Sequence, residues 1–155
     1  MTPSMRCLSE LRGAIAAWVL GLLVADDLPT VATTALVDGL DNSWLRQLAG
    51  LSSPTMIDAS ELLQRGLEEC GRAIPDKRSA ALQYASCVSR LILTRTITPS
   101  DGANAIWRAS IAVGDTSFHE LDLFIYASSE YEDRPADRPM FDGAIVNEAT
   151  RWAIR

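Results

Sequence analysis

The chain has 155 residues, of which 48% are hydrophobic and 22% charged, and its formal net charge at pH 7 is −6. These totals are typical of one globular domain covering residues 1–155, and they exclude wholesale disorder. The acidic balance argues against a nucleic-acid binder, because neutralising phosphates requires clustered lysine and arginine. A basic protein is a better electrostatic match.

The first element is an apolar stretch, residues 13–25, which carries no charge. It is too short to span a bilayer, so two interpretations remain: a buried first helix, or the apolar core of a signal peptide. We favour the helix, because Glu10 lies where a signal peptide is normally positive and because apolar residues keep helical spacing across the boundary. Those residues are Leu8, Leu11, Ile15, Trp18, Val19 and Leu22. We therefore expect a cytoplasmic protein that does not enter the membrane.

Two short helices are predicted next. The first begins at Asp27 or Leu28 and ends at Gly39, because glycine commonly follows the last residue of a helix. The second is predicted to be capped by Asp41 and to end before Gly50.

The middle of the chain has the clearest helix signals. Asp58 and Glu61 have capping-box spacing and predict a helix start, and Gly71 and Pro75 predict its end. The following helix is predicted to begin at Asp76, a residue type that caps helix N-termini.

Residues 98–101, Thr-Pro-Ser-Asp, form a further start signal, with a hydroxyl cap followed by proline at the first helical position. Gly114 is predicted to end that helix. Ser117 and Glu120 again have capping-box spacing, although the apolar residues of 121–125 also alternate as they would in a strand.

A last helix is predicted from about Met140. This makes about eight helices joined by short loops, with no convincing strand pair, and such loops favour antiparallel helical hairpins. The sequence therefore predicts an all-α fold in one compact helical domain.

The three cysteines, Cys7, Cys70 and Cys87, are odd in number and widely spaced. They indicate neither a disulfide framework nor a CxxC pair, and they suit a reducing compartment. We expect each to be a small buried hydrophobic residue.

The sequence contains few of the residues and motifs on which catalysis or cofactor binding normally depends. His119 is the only histidine and Lys77 the only lysine, and the sequence has neither a phosphate-binding loop nor a dinucleotide motif. We therefore expect a protein that is not an enzyme and that uses no metal and no cofactor. The alternative is a small ligand-binding domain or enzyme with an inter-helix pocket near His119 and Glu120.

The net charge is confined to residues 115–142, which contain eight acidic residues against Arg134 and Arg138, while the rest of the chain sums to zero. Residues 128–135 are predicted to form a loop between two helices. Three interpretations are open for this acidic segment: a solvated loop, a docking surface for a basic protein, or a divalent-metal site, whose spacing lacks the calcium-loop pattern.

The leading hypothesis is a helical adaptor or inhibitor, comparable in charge and size to nuclease immunity proteins, that docks a basic partner on this segment. Two tyrosines would serve as aromatic anchors among the acids. The candidate residues are Tyr126, Glu130, Tyr131, Glu132, Asp133 and Asp137. A further alternative is a homo-oligomer that uses the apolar residues 16–24 as its interface.

Two stretches resemble a pattern in small all-helical bacterial proteins for which no activity is established. The residues concerned are Gly39-Leu40-Asp41, Leu45-Arg46 and Leu48-Ala49-Gly50 in the first stretch, and Ile97, Pro99, Gly102-Ala103 and Ile106-Trp107 in the second. The resemblance implies no function, but it implies that the first half of the chain is folded protein, which disfavours a signal peptide.

Overall fold

Helices are the only regular secondary structure over residues 2–155, the part of the chain that the computed structural model describes, so the all-α prediction is confirmed. Within these described residues the nine α-helices are α1 Pro3–Arg6, α2 Leu11–Val19, α3 Leu28–Val37, α4 Ser43–Ala49, α5 Met56–Glu69, α6 Lys77–Leu93, α7 Pro99–Val113, α8 Asp122–Asp133 and α9 Arg138–Trp152. Three short 3₁₀ turns, Cys7–Ser9, Ala25–Asp27 and Pro135–Asp137, precede α2, α3 and α9.

α6 is the central helix, and nine of its 17 residues are buried. It packs against α2, α7 and α9, while α4 lies between α3 and α5, and α8 packs on α7 and α9. Small side chains on α6, including Ala80, Ala81 and Ala85, let neighbouring helices approach closely. The buried side chains of all these helices form one continuous hydrophobic core.

The predicted boundaries of α6 and α7 are confirmed by their caps. Asp76 accepts a hydrogen bond from the Ser79 backbone N–H at 2.8 Å, and the Thr98 hydroxyl accepts one from the Asp101 N–H at 3.2 Å. Gly114 ends α7 with φ +70°, a left-handed conformation that glycine adopts without strain.

Two predicted N-caps are wrong, that of α5 by three residues and that of α4 by one. α5 is capped by Thr55 rather than Asp58, because the Thr55 hydroxyl accepts the Asp58 N–H at 3.1 Å. α4 is capped by Asn42 rather than Asp41. The Asn42 side chain accepts the Leu45 N–H at 3.0 Å and also donates to the Gly66 carbonyl at 2.8 Å, so a contact with α5 selects this cap.

Most of residues 13–20 of the apolar first stretch are buried, as the helix interpretation predicts. The predicted helix is nevertheless not continuous, since α2 ends at Val19 and Val24 is 65% exposed. Glu10 has extended backbone angles (φ −113°, ψ 114°) and separates the Cys7–Ser9 turn from α2. At this break, Glu10 forms an ion pair with Arg90 of α6. Leu20 and Leu23, within the segment considered as an oligomer interface, are buried in the chain's own core. Across residues 2–155, none of the helices has the length and hydropathy of a membrane span.

The predicted loop at residues 128–135 is wrong, because α8 continues to Asp133. No glycine or proline interrupts the helix before Pro135. Arg134 then leaves the helical conformation (φ −129°, ψ 71°), as expected for a residue that precedes proline. Most of the acidic candidates are therefore helical and have fixed directions.

The predicted capping box at Ser117 and Glu120 is also wrong. The Ser117 hydroxyl and N–H both donate to Asp115 Oδ1, at 2.7 and 2.9 Å, and form a local turn instead. α8 begins only at Asp122, and Leu121 in the N-cap position makes no side-chain capping bond. Residues 122–125 are helical, so the alternating apolar residues in this stretch do not form a strand.

Candidate functional site

Arg78 of α6 binds the first part of the acidic segment. Its guanidinium forms ion pairs with Asp115 at 3.2 Å and Glu120 at 3.1 Å, and it lies 5.3 Å from the centre of the Phe118 ring. Hydrogen bonds from Ser117 lower the pKa of the Asp115 carboxyl. These contacts hold the α7–α8 connection against α6, so Asp115 and Glu120 have a structural role.

Hydrogen bonding also keeps Glu120 ionised. Its own backbone N–H and then the Arg78 guanidinium lower the pKa of the Glu120 carboxyl, and the His119 N–H donates to its second oxygen at 3.1 Å. Both carboxylate oxygens thus accept hydrogen bonds within the chain, which fixes the position of the Glu120 carboxylate.

His119 lies on the surface beside the start of α8. Its side chain is 70% exposed, and its Nδ1 lies 3.0 Å from Asp122 Oδ2. Neither His119 nor Glu120 lines any of the three clefts described below. The inter-helix pocket predicted near His119 therefore does not coincide with these clefts.

Four residues with helical spacing form a continuous strip on α8, which we call the α8 outer face: Asp122, Tyr126, Glu130 and Asp133. Successive members are three or four residues apart, so they project from one side of the helix over about 16 Å. Glu130 is half-buried and the other three are exposed. Three carboxylates and one tyrosine thus share one surface.

Tyr126 is held in place although 58% of it is exposed. Its ring meets the Phe141 ring of α9 edge to face, with centroids 6.4 Å apart and planes at 71°. This geometry is favourable for aromatic pairs. Because the ring is already positioned, a partner that covers it would lose less conformational entropy than with a freely rotating side chain.

Both arginines of the acidic segment are bound within it. Arg134 pairs with Asp137 at 2.6 Å and Glu130 at 3.4 Å, and the hydrogen bond to Asp137 contributes most to raising the Arg134 pKa. Arg138 lies 4.9 Å from the centre of the Tyr131 ring and donates to the Tyr131 carbonyl at 3.0 Å. Among the ion pairs of residues 2–155, neither arginine pairs with Asp133.

The structure brings three of the six candidates together and separates the others. Tyr126, Glu130 and Asp133 share the α8 outer face. Tyr131 is half-buried against the core, and Glu132 is exposed but projects about 120° around the helix from Tyr126. Asp137, the remaining candidate, lies in the 3₁₀ turn and is bound by Arg134.

Asp122 is the member of this face that sequence reasoning missed. Its spacing of four residues from Tyr126 and eight from Glu130 is the signal that could have found it. The predicted loop obscured that signal, because relative directions are undefined in a loop. Over residues 2–155, no group of three or more His, Cys, Asp or Glu side chains could hold a metal ion.

Three clefts lie elsewhere on the surface. One, of about 340 Å³, lies beside α7 and is lined by polar groups that include Ser4, Tyr84, Asn104 and Arg108. The Tyr84 hydroxyl lies 2.8 Å from the Ser4 hydroxyl, and burial raises the pKa of Tyr84, so its phenol stays protonated. The others, of about 720 and 510 Å³, adjoin the C-terminal end of α6.

No protein family, curated protein or solved structure matches the chain. The resemblance of residues 39–50 and 97–107 to helical bacterial proteins stays a prediction. Several residues of those stretches serve packing in this fold. Leu45 and Leu48 are fully buried, and Gly102 lies so close to Ile92 that an added Cβ would be 2.5 Å from its Cδ1.

Proposed function

We propose that the protein is a non-enzymatic interaction module, an adaptor or inhibitor, that docks a basic protein on the α8 outer face. The observation that carries the proposal is an exposed, pre-positioned Tyr126 among three carboxylates on one side of a helix. An arginine or lysine of the partner could lie over the tyrosine ring while pairing with Glu130 or Asp133.

The carboxylates and Tyr126 would contribute differently to binding, as the usual free energies of such contacts indicate. Exposed ion pairs contribute at most about 1 kcal/mol each, so the carboxylates alone would give weak binding. They would mainly steer a basic partner and align it. Burial of Tyr126 would supply most of the affinity, because tyrosine is among the residues that dominate protein interfaces.

The test uses the full chain immobilised and exposed to an extract of its native cell. The face variant reverses two charges, Glu130→Lys and Asp133→Lys. The matched control reverses Glu68→Lys and Glu69→Lys, which are exposed at the C-terminal end of α5, where positive charge suits the helix dipole. Thermal melts establish that both variants are folded.

We expect at least one basic protein to be retained by the wild type and by the control but not by the face variant. Its retention should fall as salt is raised, because exposed charges are screened. The proposal is refuted if the face variant retains the same basic proteins as the wild type, or if no basic protein distinguishes the variants.

A second candidate function, binding of a small carboxylate, is favoured by the cleft beside α7. Arg108 takes part in none of the ion pairs formed within residues 2–155. Arg108 lines the cleft with Tyr84 and Asn104, which could donate further hydrogen bonds. The Asp101 carboxylate also lines the cleft, so a bound carboxylate would have to contact Arg108 and avoid Asp101. The volume of about 340 Å³ is at the small end of the range for ligand pockets.

Thermal melts with a panel of small mono- and dicarboxylates test this second candidate. A bound carboxylate should raise the Tm of the wild type and of Arg12→Gln, an exposed control on α2, but not that of Arg108→Gln. Equal shifts in all three proteins, or no shift in any, would rule out the cleft as a carboxylate site.

A further inference from the structure

Two cysteines that are far apart in the sequence meet in the core. Cys7 lies in the 3₁₀ turn after α1 and Cys87 in the middle of α6, 80 residues later, and their Sγ atoms are 2.8 Å apart. Both are buried, with exposed fractions of 0% and 2%. A disulfide bond is about 2.05 Å long, so the sulfurs need to move together by only about 0.8 Å.

The packing around the pair holds the two sulfurs together. α2 crosses α6 at Gly13, where an added Cβ would lie 2.7 Å from Cys87 Sγ, so only glycine leaves room for the sulfur. Three residues before Gly13, Glu10 pairs with Arg90 of α6. Both contacts directly follow the Cys7 turn in the chain and hold the start of α2 against α6, which places Cys7 beside Cys87.

We propose that Cys7 and Cys87 form an intramolecular disulfide by exchange with a low-molecular-weight disulfide such as oxidised glutathione. The Cys7 thiolate attacks one sulfur of the oxidant, forms a mixed disulfide and releases one thiol. The Cys87 thiolate then attacks the Cys7 sulfur and releases the second thiol. The two cysteines lose two electrons and two protons, and the oxidant takes them up as it becomes two thiols.

The closed structure protects the pair from this reaction. A hydrogen bond with Cys7, burial, and the nearby Glu10 carboxylate raise the pKa of the Cys87 thiol, and the thiolate is the reactive form. The oxidant also has no access to buried sulfurs. Exchange therefore starts when residues 3–9 open, a short segment made of α1 and one 3₁₀ turn and held by few polar contacts.

Those contacts are identifiable. The Ser4 hydroxyl lies 2.8 Å from the Tyr84 hydroxyl, and the Thr34 hydroxyl donates to the Leu8 carbonyl at 2.6 Å. Local opening of such a segment costs less free energy than global unfolding. After the first exchange, reclosure returns Cys7 to Cys87, and the second bond locks residues 3–9 onto α6.

The test compares the full-length protein incubated with oxidised glutathione and with a reducing agent. After denaturation, free thiols are alkylated and the peptides are mapped by mass spectrometry without reduction. We expect the Cys7 peptide linked to the Cys87 peptide, with Cys70 alkylated. We also expect the Tm to rise on the order of 10 °C, because the bond closes a long loop in the unfolded chain.

Cysteine-to-serine variants distinguish a Cys7–Cys87 disulfide from any other disulfide. Cys70→Ser should keep both the linked peptides and the rise in Tm, whereas Cys7→Ser and Cys87→Ser should lose both. The proposal is overturned if Cys7 and Cys87 are both alkylated after oxidation, or if either is linked to Cys70 or to another chain. The wild-type peptide map decides this even if a variant fails to fold.

Discussion

Replacement of Gly66 by alanine tests the close approach of α4 to α5. A Cβ on residue 66 would lie 2.6 Å from both Cδ2 and Cγ of Leu45, which is fully buried in α4. Alanine gains about 1 kcal/mol of helix propensity over glycine. Overpacking a core costs about 1–3 kcal/mol. Because the buried Leu45 cannot move away into solvent, we expect the overpacking cost to outweigh the gain, with a net loss of up to about 2 kcal/mol in the free energy of unfolding.

Gly143→Ala is the matched control, since Gly143 is exposed inside α9 and an added Cβ would meet nothing within 4 Å. Here the propensity gain stands alone, so stability should rise by about 0.5–1 kcal/mol. Urea unfolding followed by far-UV circular dichroism measures both changes, at unchanged denaturant slope. If Gly66→Ala is as stable as Gly143→Ala, the described contact between α4 and α5 is incorrect.

Three further predictions concern local interactions. Thr98→Ala should lower the free energy of unfolding by about 1 kcal/mol, because the Asp101 N–H loses its acceptor, while Thr98→Ser should preserve stability; urea titration measures both. The Ser79 backbone N–H lowers the folded-state pKa of Asp76 from its ordinary 3.8, so the carboxylate stabilises the fold above that pH, and the contribution is lost as pH falls through the lowered value. Across this pH range, the free energy of unfolding should therefore depend less on pH in Asp76→Asn than in the wild type. Ser89 Oγ is the one buried side-chain oxygen or nitrogen without a hydrogen-bond partner over residues 2–155, so Ser89→Ala should raise the Tm, by roughly 2–4 °C for each kcal/mol recovered.

Local signals made α6 and α7 predictable. Asp76 and Thr98 cap their helices through bonds to N–H groups three residues later, and Gly114 ends α7 in a conformation that other residues rarely adopt. Such features depend on a few neighbouring residues, so a short stretch of sequence is enough to predict them.

Contacts between distant segments account for most of what the sequence could not predict. Glu10 interrupts the first helix, and its partner Arg90 is 80 residues away. The meeting of Cys7 and Cys87 has the same separation and depends on the same helix crossing. Spacing alone gives no indication of either pair, because α2 and α6 are brought together only by burial of the core.

The candidate docking surface was predictable in part. Its charge and Tyr126 are visible in the sequence, but the residues that share a face depend on α8 continuing to Asp133. Once the helix register is known, Tyr131 and Glu132 leave the face and Asp122 joins it. The role of Arg78 in binding Asp115 and Glu120 could not be foreseen, since it comes from another helix.

The central claim is that Tyr126 anchors a basic partner on the α8 outer face. The most direct measurement is the Kd of the retained basic protein for the wild type, for Tyr126→Ala and for the Glu68→Lys/Glu69→Lys control, by calorimetry. We predict that Tyr126→Ala raises the Kd roughly 30-fold or more, as loss of an interface hot spot does, and that the control leaves it unchanged. An unchanged Kd for Tyr126→Ala would contradict the account.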